Sequence, residues 1–292
     1  MPHKIGIIQS RGAGDIVILA PVAQWYHDRG SEIHWMVDDL YYDGFSYAFP
    51  DFHWHKISPE TEQSLAANIK NPYWYEEPKR ILTEIGVDEI FVFLYEEIKH
   101  SVLLPDLSTR IIDPITINAR NSRLPYMKSF DQFKYAATNV PFLQKWKLKL
   151  KRNEEKEQEL YDKIVNKDGK PYAVFNLSVQ MGRVELSLGS DDQRNEFLKK
   201  ICKIQDEFQI IDISEITNNP LDWLKVLENA KVFIGIDSFF VNLIDQLMLP
   251  IEYKFFIRRS TLDFTPVLGT VWNYIPINLP SDKKQSELAY YG

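Results

Sequence analysis

The sequence has very little cysteine, since Cys202 is the only one among 292 residues. One cysteine excludes an internal disulfide framework and a cysteine-rich metal site, and it fits a reducing compartment. Long apolar runs are also missing, because none reaches the roughly 18 residues that a membrane span needs. The first residues do not form a charged-then-apolar signal peptide. We therefore expect a cytoplasmic protein without a membrane span.

An excess of positive charge is lacking as well. The chain has 34 Lys and Arg against 41 Asp and Glu, which gives a net charge of −7 and a pI of about 5.5. A general nucleic-acid-binding surface is therefore not evident. In contrast, 45% of the residues are hydrophobic and the length suffices for two domains of typical size.

Short apolar runs alternate with helical patterns along the chain. Alternating strands and helices with short connections predict parallel sheets that are covered on both faces. The predicted strands are 5–8, 32–37, 52–57, 89–94, 172–176, 208–213, 231–236 and 251–257, the last of which we take as the final strand. The main predicted helices follow residue 15 and cover 60–70, 76–86, 190–204, 220–229 and 237–247.

The charge-dense stretch around residues 145–169 separates two such series. We predict an N-terminal Rossmann-like domain over 1–145, a charged linker or helix over 146–164 and a C-terminal Rossmann-like domain over 165–270. We expect the tail, 271–292, to return to the N-terminal domain.

Two loops at strand ends carry the residue types that chemistry needs, and ligands of open α/β sheets bind at such ends. The loop at residues 10–15 reads Ser-Arg-Gly-Ala-Gly-Asp, and Asp15 could cap the following helix or act as a general base. The loop at residues 235–238 again places an acid and a hydroxyl, Asp237 and Ser238, before a helix. Capping also explains these two residues. However, a strand followed by an acidic residue and a helix occurs once in each half of the sequence, which favours a functional role.

Two stretches resemble a known family. The segment KIGIIQSRGAGDIVILAPVAQWYHDRGSEIHWMVD resembles the opening of the heptosyltransferase-like glycosyltransferases, family 9. These begin with a strand, a turn ending in Gly-Asp and an apolar helix that contains a proline. The segment NAKVFIGIDSFFVNLIDQLMLPIEYKF is similar to their C-terminal signature, in which an apolar strand precedes Asp-Ser or Asp-Thr and a helix. The two matches cover about a fifth of the chain.

The resemblance implies a GT-B fold, in which two Rossmann-like domains face a central cleft. It also implies metal-independent, inverting transfer of a sugar from a nucleotide-diphosphate donor to an acceptor hydroxyl, with no cofactor. The acceptor would be a glycan, a lipid-linked glycan, a nucleobase or a protein. Asp15 would be the catalytic base, on an acceptor-side loop with Arg11, Gly12 and Gly14.

Donor binding would fall to the second half. The family signature maps to Asp237 and Ser238, and the loop after the first strand of that half offers Ser178 and Arg183. The guanidinium of Arg183 suits bidentate phosphate binding. Asn242 also belongs to this expected donor site.

Two alternatives remain. Phe239 and Asn242 stand where the family usually has Gly and His, which leaves open a non-catalytic nucleotide- or sugar-binding protein of the same fold. An NAD-dependent oxidoreductase is suggested by the Gly12-x-Gly14 turn and by Asp38 at the end of the second strand. However, Val17 occupies the third glycine position of that fingerprint, and Asp15 would repel a pyrophosphate.

Histidines do not predict a metal site. None of the six is arranged in an HExxH pattern, and the pair His53 and His55 has no further ligand cluster in the sequence around it. We expect ordinary packing for this pair.

Overall fold

The computed structural model describes residues 2–58, 73–93, 115–118, 131–176, 178–179, 184–185, 196, 199, 208–213, 219–257, 267 and 269–275. The chain divides into two compact units, unit 1 and unit 2, with the boundary between Leu150 and Lys151. Each unit contains one five-stranded sheet. Within the described ranges, no helix has the length and apolar character needed to cross a bilayer.

Unit 1 is built on an all-parallel sheet. Its strands are β1 (Lys4–Ile8), β2 (Glu32–Asp38), β3 (His53–Ile57), β4 (Glu89–Val92) and β5 (Ile115–Asn118). The strand order is β3-β2-β1-β4-β5, so β1 is central. The helices are α1 (Ala13–His27), α2 (Asp39–Ala48), α3 (Tyr73–Ile85) and α4 (Gln132–Ala137), followed by a 3₁₀ helix at Phe142–Lys147.

The apolar run of β1 is fully buried, as a central parallel strand requires. Gly6 lets α3 lie directly on this strand, because a Cβ at Gly6 would come within 2.8 Å of the Leu82 side chain. On α1, residues 16–23 are all buried. A helix that is apolar all round is a core helix, and α1 therefore fixes the loop that precedes it rigidly against the sheet.

Unit 2 repeats this plan with parallel pairing throughout its main sheet. The strands of that sheet are β6 (Tyr172–Asn176), β9 (Gln209–Asp212), β10 (Val232–Ile236), β11 (Tyr253–Ile257) and β12 (Asn273–Ile275), in the order β12-β11-β10-β6-β9. A short antiparallel pair is formed by β7 (Ser178–Val179) and β8 (Val184–Glu185). The helices are α5 (Glu154–Ile164), a 3₁₀ helix at Pro220–Trp223, α6 (Leu224–Glu228) and α7 (Phe239–Gln246).

The predicted fold class is confirmed, and the structure refines its elements. The predicted strand at 172–176 matches β6. Strands β1 and β2 are each one residue longer than predicted, and the other predicted strands are one or two residues shorter in the structure. The prediction that 251–257 is the final strand is wrong, because β12 follows it and pairs with β11. Residues 273–275 therefore belong to the sheet of unit 2, so the predicted return of the tail to unit 1 is wrong for this stretch. All of 60–70 and most of 190–204 lie outside the described residues.

The unit boundary falls within the segment 146–164 that the sequence marks as a charged linker or helix. In that segment α5 packs within unit 2. Arg152, just before α5, donates to Glu157 at 3.1 Å and to Glu228 at 2.9 Å, which ties the start of α5 to the end of α6.

Candidate functional site

The carboxyl ends of β1 and β4 form the topological switch point of unit 1. From β1 the chain continues to β2 on one side, while β4 lies on the other side. Ligands of open parallel sheets bind at such points. Residues 9–12, which connect β1 to α1, lie there. The structure thus places the expected acceptor-side loop where the topology favours a ligand.

Gly12 is the N-cap residue of α1 and has a φ of 78°, which L-residues with a side chain rarely adopt. A Cβ at Gly12 would also lie 2.9 Å from Oδ2 of Asp15. Both the backbone and the neighbouring carboxylate therefore require glycine at this position.

Asp15 lies in the first turn of α1, where its carboxylate complements the helix dipole. The interpretation of Asp15 as a side-chain cap is wrong, because Gly12 is the N-cap and no side chain caps α1. Instead, Oδ1 of Asp15 accepts a hydrogen bond from Nζ of Lys134. The side chain of Lys134 is fully buried, and that of Asp15 is 12% exposed.

The helix that carries Lys134, α4, is fastened to α1 by two tyrosine hydroxyls. Tyr135 donates to the carbonyl of Ile18 at 2.7 Å, and Tyr26 donates to the carbonyl of Thr138 at 2.5 Å. Burial raises the pKa of both tyrosines, so both hydroxyls stay protonated and remain donors. The position of Lys134 relative to Asp15 is therefore set by the packing of two helices.

A second buried ion pair lies at the start of α4. Nζ of Lys145 is 2.7 Å from Oδ2 of Asp131, and neither side chain is exposed. The other carboxylate oxygen of Asp131 is buried without a hydrogen-bond partner. Two lysine–aspartate pairs thus hold this helix in the interior of unit 1.

Arg11, the residue before Gly12, is held by a carboxylate and an indole ring. Its Nε lies 3.2 Å from Oδ2 of Asp38, and its guanidinium lies 5.1 Å from the ring centroid of Trp74. Asp38 also caps α2 by accepting from the amide of Leu40 at 3.1 Å. Because both carboxylate oxygens of Asp38 are engaged, it is poorly suited to bind a ribose, which weakens the oxidoreductase alternative.

Two polar side-chain atoms at the carboxyl end of β1 have no partner. Oε1 of Gln9 and Oγ of Ser10 are buried and make no hydrogen bond, although Nε2 of Gln9 donates to the carbonyl of Arg11 at 2.6 Å. Buried polar atoms are rarely left unsatisfied unless a ligand or water completes them. These atoms therefore add hydrogen-bonding capacity to the same loop.

The switch point of unit 2 lies between β6 and β10, since β9 flanks β6 on one side and β11 and β12 follow β10 on the other. Asn176 ends β6, and Asp237 and Ser238 follow β10 directly. Oγ of Ser238 donates to Oδ1 of Asn176 at 2.6 Å and joins the two strand ends.

Ser238 occupies the N-cap position of α7, but its side chain does not cap the helix. The capping interpretation of Ser238 is therefore wrong, because its hydroxyl is bonded to Asn176 instead. The first-turn amides of α7 receive no acceptor from this side chain, and they provide partial positive charge beside the switch point.

Asn242 is fixed one turn into α7. Its Nδ2 donates to the carbonyl of Ser238 at 2.8 Å, and its Oδ1 is buried without a partner. Gly235 permits the close approach of this helix, because a Cβ there would lie 3.0 Å from Val241 and closer still to the ring of Phe233.

The structure therefore groups the sequence-derived residues into two sites, one per unit. Arg11, Gly12, Gly14 and Asp15 lie together in unit 1, and Asp237, Ser238 and Asn242 lie together in unit 2. Ser178 belongs to β7 but its side chain lies outside the description, and Arg183 lies outside the described residues.

Sequence reasoning missed three members of these sites. Asn176 ends an apolar strand. The rule that ligands bind at the carboxyl ends of strands, which selected Asp237, could therefore have found it as well. Trp74 and Lys134 gave no such signal, because each is far from its partner in sequence and sits on a helix.

A polar network of Glu32, His34 and His55 lies on β2 and β3. His34 is hydrogen-bonded to His55 at 3.0 Å and to Glu32 at 2.9 Å, and the ring of His53 stacks on that of His34. His53 and His55 therefore do have polar neighbours that the sequence did not reveal. Even so, no group of three or more His, Cys, Asp or Glu in the described part of the chain is arranged to hold a metal ion.

Solved structures share this architecture. ADP-heptose lipopolysaccharide heptosyltransferase II of Escherichia coli aligns with a TM-score of 0.57 at 15% identity, covering 94% of this chain and 90% of that one. A glycosyl transferase family 9 structure from Veillonella parvula also aligns with a TM-score of 0.57, at 12% identity and over 99% and 92% of the two chains. No family model and no curated protein matches the sequence.

The chain has a GT-B fold. A central parallel strand followed by an acid-bearing turn occurs once in each unit. In both units these turns lie at the switch point of the sheet.

Proposed function

We propose that this protein is a metal-independent glycosyltransferase that moves a sugar from a nucleotide-diphosphate donor to an acceptor hydroxyl, with inversion at the anomeric carbon. The observation that carries the proposal is the pair of switch-point sites within a GT-B fold. One site presents a carboxylate, and the other presents a helix N-terminus that the side chain of Ser238 does not cap. A single cysteine fits the cytoplasmic location that we also propose.

Unit 2 would bind the donor. The amides at the start of α7 suit a diphosphate, because helix N-termini favour anions. Ser238 and Asn176 would donate hydrogen bonds beside them, and the carboxylate of Asp237 would accept from a hydroxyl of the nucleotide-sugar. Arg183 would add a guanidinium, in keeping with the resemblance noted above. Unpartnered Oδ1 of Asn242 can accept a hydrogen bond from a donor hydroxyl or amine.

Unit 1 would bind the acceptor and supply the base. Asp15 would take the proton of the acceptor hydroxyl while the acceptor oxygen attacks the anomeric carbon. The bond between that carbon and the diphosphate oxygen breaks, and its electron pair leaves with the diphosphate. The amides of α7 stabilise the negative charge that develops there.

Thermal unfolding with a panel of nucleotides tests donor binding. We expect at least one nucleoside diphosphate to stabilise the protein, by about 2.7 kcal/mol at a hundredfold excess over Kd, with and without EDTA. ADP and ADP-heptose come first in the panel, because the Escherichia coli structure is that of an ADP-heptose enzyme. Stabilisation by NAD alone, and by no nucleoside diphosphate, would instead favour the oxidoreductase alternative.

Product formation then tests catalysis. We expect release of the free nucleoside diphosphate to depend on an acceptor, with lipopolysaccharide core sugars tested first and the other acceptor classes next. Donor binding without acceptor-dependent release for any class would favour the non-catalytic alternative, which the replacement of the usual Gly and His by Phe239 and Asn242 motivates.

A further inference from the structure

A fully buried lysine is in contact with the candidate base. Lys134 has no exposed side-chain surface, and its Nζ donates to Oδ1 of Asp15, 119 residues earlier in the chain. Burying an ammonium group is costly unless a counter-charge and hydrogen bonds compensate for it. The carboxylate of Asp15 supplies such a counter-charge, at the only turn of α1 that borders the switch point.

We propose that Lys134 is a positioning residue for Asp15, holding Oδ1 so that Oδ2 receives the proton of the acceptor hydroxyl. This inference rests on the proposed function. Lys134 acts through Asp15 and has no contact with the reacting atoms. The proton moves from the acceptor oxygen to Oδ2, and the new bond joins that oxygen to the anomeric carbon as the diphosphate departs.

The geometry around Gly12 assigns different tasks to the two oxygens of Asp15. Oδ1 accepts from Lys134, whereas Oδ2 lies 2.9 Å from the position that a Cβ of residue 12 would occupy. A side chain at residue 12 would crowd Oδ2, and glycine avoids this contact. An acceptor hydroxyl can therefore approach this oxygen from the loop side while Lys134 keeps the carboxylate from rotating.

The lysine is held firmly enough to act in this way. The hydroxyls of Tyr135 and Tyr26 fasten α4 to α1. A misplacement of a catalytic group by about 1 Å costs about 100-fold in rate. Loss of the lysine contact is therefore expected to be visible in turnover.

The test compares Lys134→Met with a matched control, Lys145→Met. Both substitutions remove a fully buried ammonium that is paired with an aspartate near α4, but only the first pair includes Asp15. We expect both variants to unfold at a lower temperature. Lys134→Met should lower kcat by about 10- to 100-fold with an unchanged donor KM. Lys145→Met should keep kcat per folded molecule within a few-fold of the parent.

A double-mutant cycle with Asp15→Asn distinguishes positioning from a purely structural role. If Lys134 acts through Asp15, Lys134→Met should lower kcat little further in the Asp15→Asn background. Equal losses in both backgrounds, or an unchanged kcat in Lys134→Met, would overturn the proposal. If Lys134→Met does not fold, Lys134→Gln serves in its place, because its shorter, uncharged side chain removes the ion pair with Asp15: a lower kcat at constant donor KM supports the proposal, and parental kcat overturns it.

Thermal unfolding of the parent, Asp15→Asn, Lys134→Met and the double variant needs no substrate. It therefore tests the ion pair between Lys134 and Asp15 separately from the proposed function. We expect the double variant to lose less stability than the sum of the single losses, because it leaves no unpaired buried charge. If the stability losses of the two single variants add up in the double variant, Lys134 and Asp15 do not interact, and the proposal fails whatever the activity. Coupled stability without transfer from any nucleotide-sugar would remove the proposed function, and the catalytic role with it.

Discussion

Gly12 combines a strained backbone with a close neighbour, whereas Gly30 has only the first of these properties. Their φ angles are 78° and 89°, but only at Gly12 would a Cβ meet another atom, Oδ2 of Asp15. Gly30→Ala should cost about 1–2 kcal/mol of unfolding free energy through backbone strain. Gly12→Ala should cost more and also displace the carboxylate, so turnover should fall in this variant alone. Denaturant unfolding and kcat measure the two effects, and an active, equally stable Gly12→Ala would refute the assignment.

Asp15 contributes to stability through a buried partner and not through capping. Asp15→Asn leaves the ammonium of Lys134 without this carboxylate, which should cost about 3–5 kcal/mol of unfolding free energy. Asp39→Asn is the control, because Asp39 also lies in a first helical turn but pairs at 3.5 Å with an exposed lysine, Lys56. That change should cost about 0–1 kcal/mol. Equal effects of the two substitutions in urea unfolding would contradict the ion-pair description.

The histidines of β2 and β3 make the stability of unit 1 depend on pH. Burial lowers the pKa of His34 and of His55, and the neighbouring His53 lowers both further. Below about pH 6.5 the unfolded chain takes up protons that the folded chain does not, so stability falls as pH decreases from this value to the folded pKa values. The loss should approach 1.4 kcal/mol per pH unit for each neutral histidine.

Urea unfolding at pH 7.5 and at pH 5.5 measures this loss. In His55→Phe a phenyl ring that cannot titrate replaces the imidazole. We therefore expect the unfolding free energy to depend less steeply on pH than in the parent. A variant with the parental slope would show that other groups are responsible.

Whole elements differ in how far their sequences reveal them. Fully buried strands such as β1, β6 and β10 are continuous apolar runs, and they were predicted to within one residue. By contrast, β5 and β12 are short strands at the edges of their sheets, with three or four residues and little pattern. Helix α2 was missed because only Phe45 and Ala48 are buried along its ten residues.

At the level of a helix terminus, the N-termini of α7 and α5 are a natural comparison. The side chain of Asn153 caps α5 by accepting from the amide of Lys156 at 3.2 Å, whereas Ser238 does not cap α7. Asn153→Ala should cost about 1 kcal/mol of stability and leave donor binding unchanged. We expect the Ser238 hydroxyl to turn from Oδ1 of Asn176 to the diphosphate on binding, so Ser238→Ala should weaken nucleoside diphosphate binding by about tenfold, the worth of one hydrogen bond to a charged group. Calorimetric titration checks this, and unchanged affinity in Ser238→Ala would show that the Ser238 hydroxyl does not bind the diphosphate.

At the scale of the whole molecule, the alternation of strands and helices was enough to predict two parallel sheets, and the strand-end rule was enough to find both switch-point loops. The partners of those loops were not predictable in the same way. Lys134 reaches Asp15, and Ser238 reaches Asn176, only because distant segments are brought together by the fold. Local pattern therefore identified the residues that can carry chemistry but not the hydrogen bonds that decide their roles, and the capping alternative for Ser238 was wrong.

The two sites should also separate in function, because one belongs to each unit. We expect the double change Asn176→Ala and Ser238→Ala to abolish stabilisation by the nucleoside diphosphate. The double change Asp15→Asn and Lys134→Met should keep donor affinity and lose turnover by about 10²–10⁴-fold, the usual contribution of a positioned base. Calorimetry and product release on the same preparations measure both quantities. Loss of nucleotide binding in the unit 1 variant would show that the donor contacts Asp15. The assignment of donor binding to unit 2 and of the base to unit 1 would then be wrong.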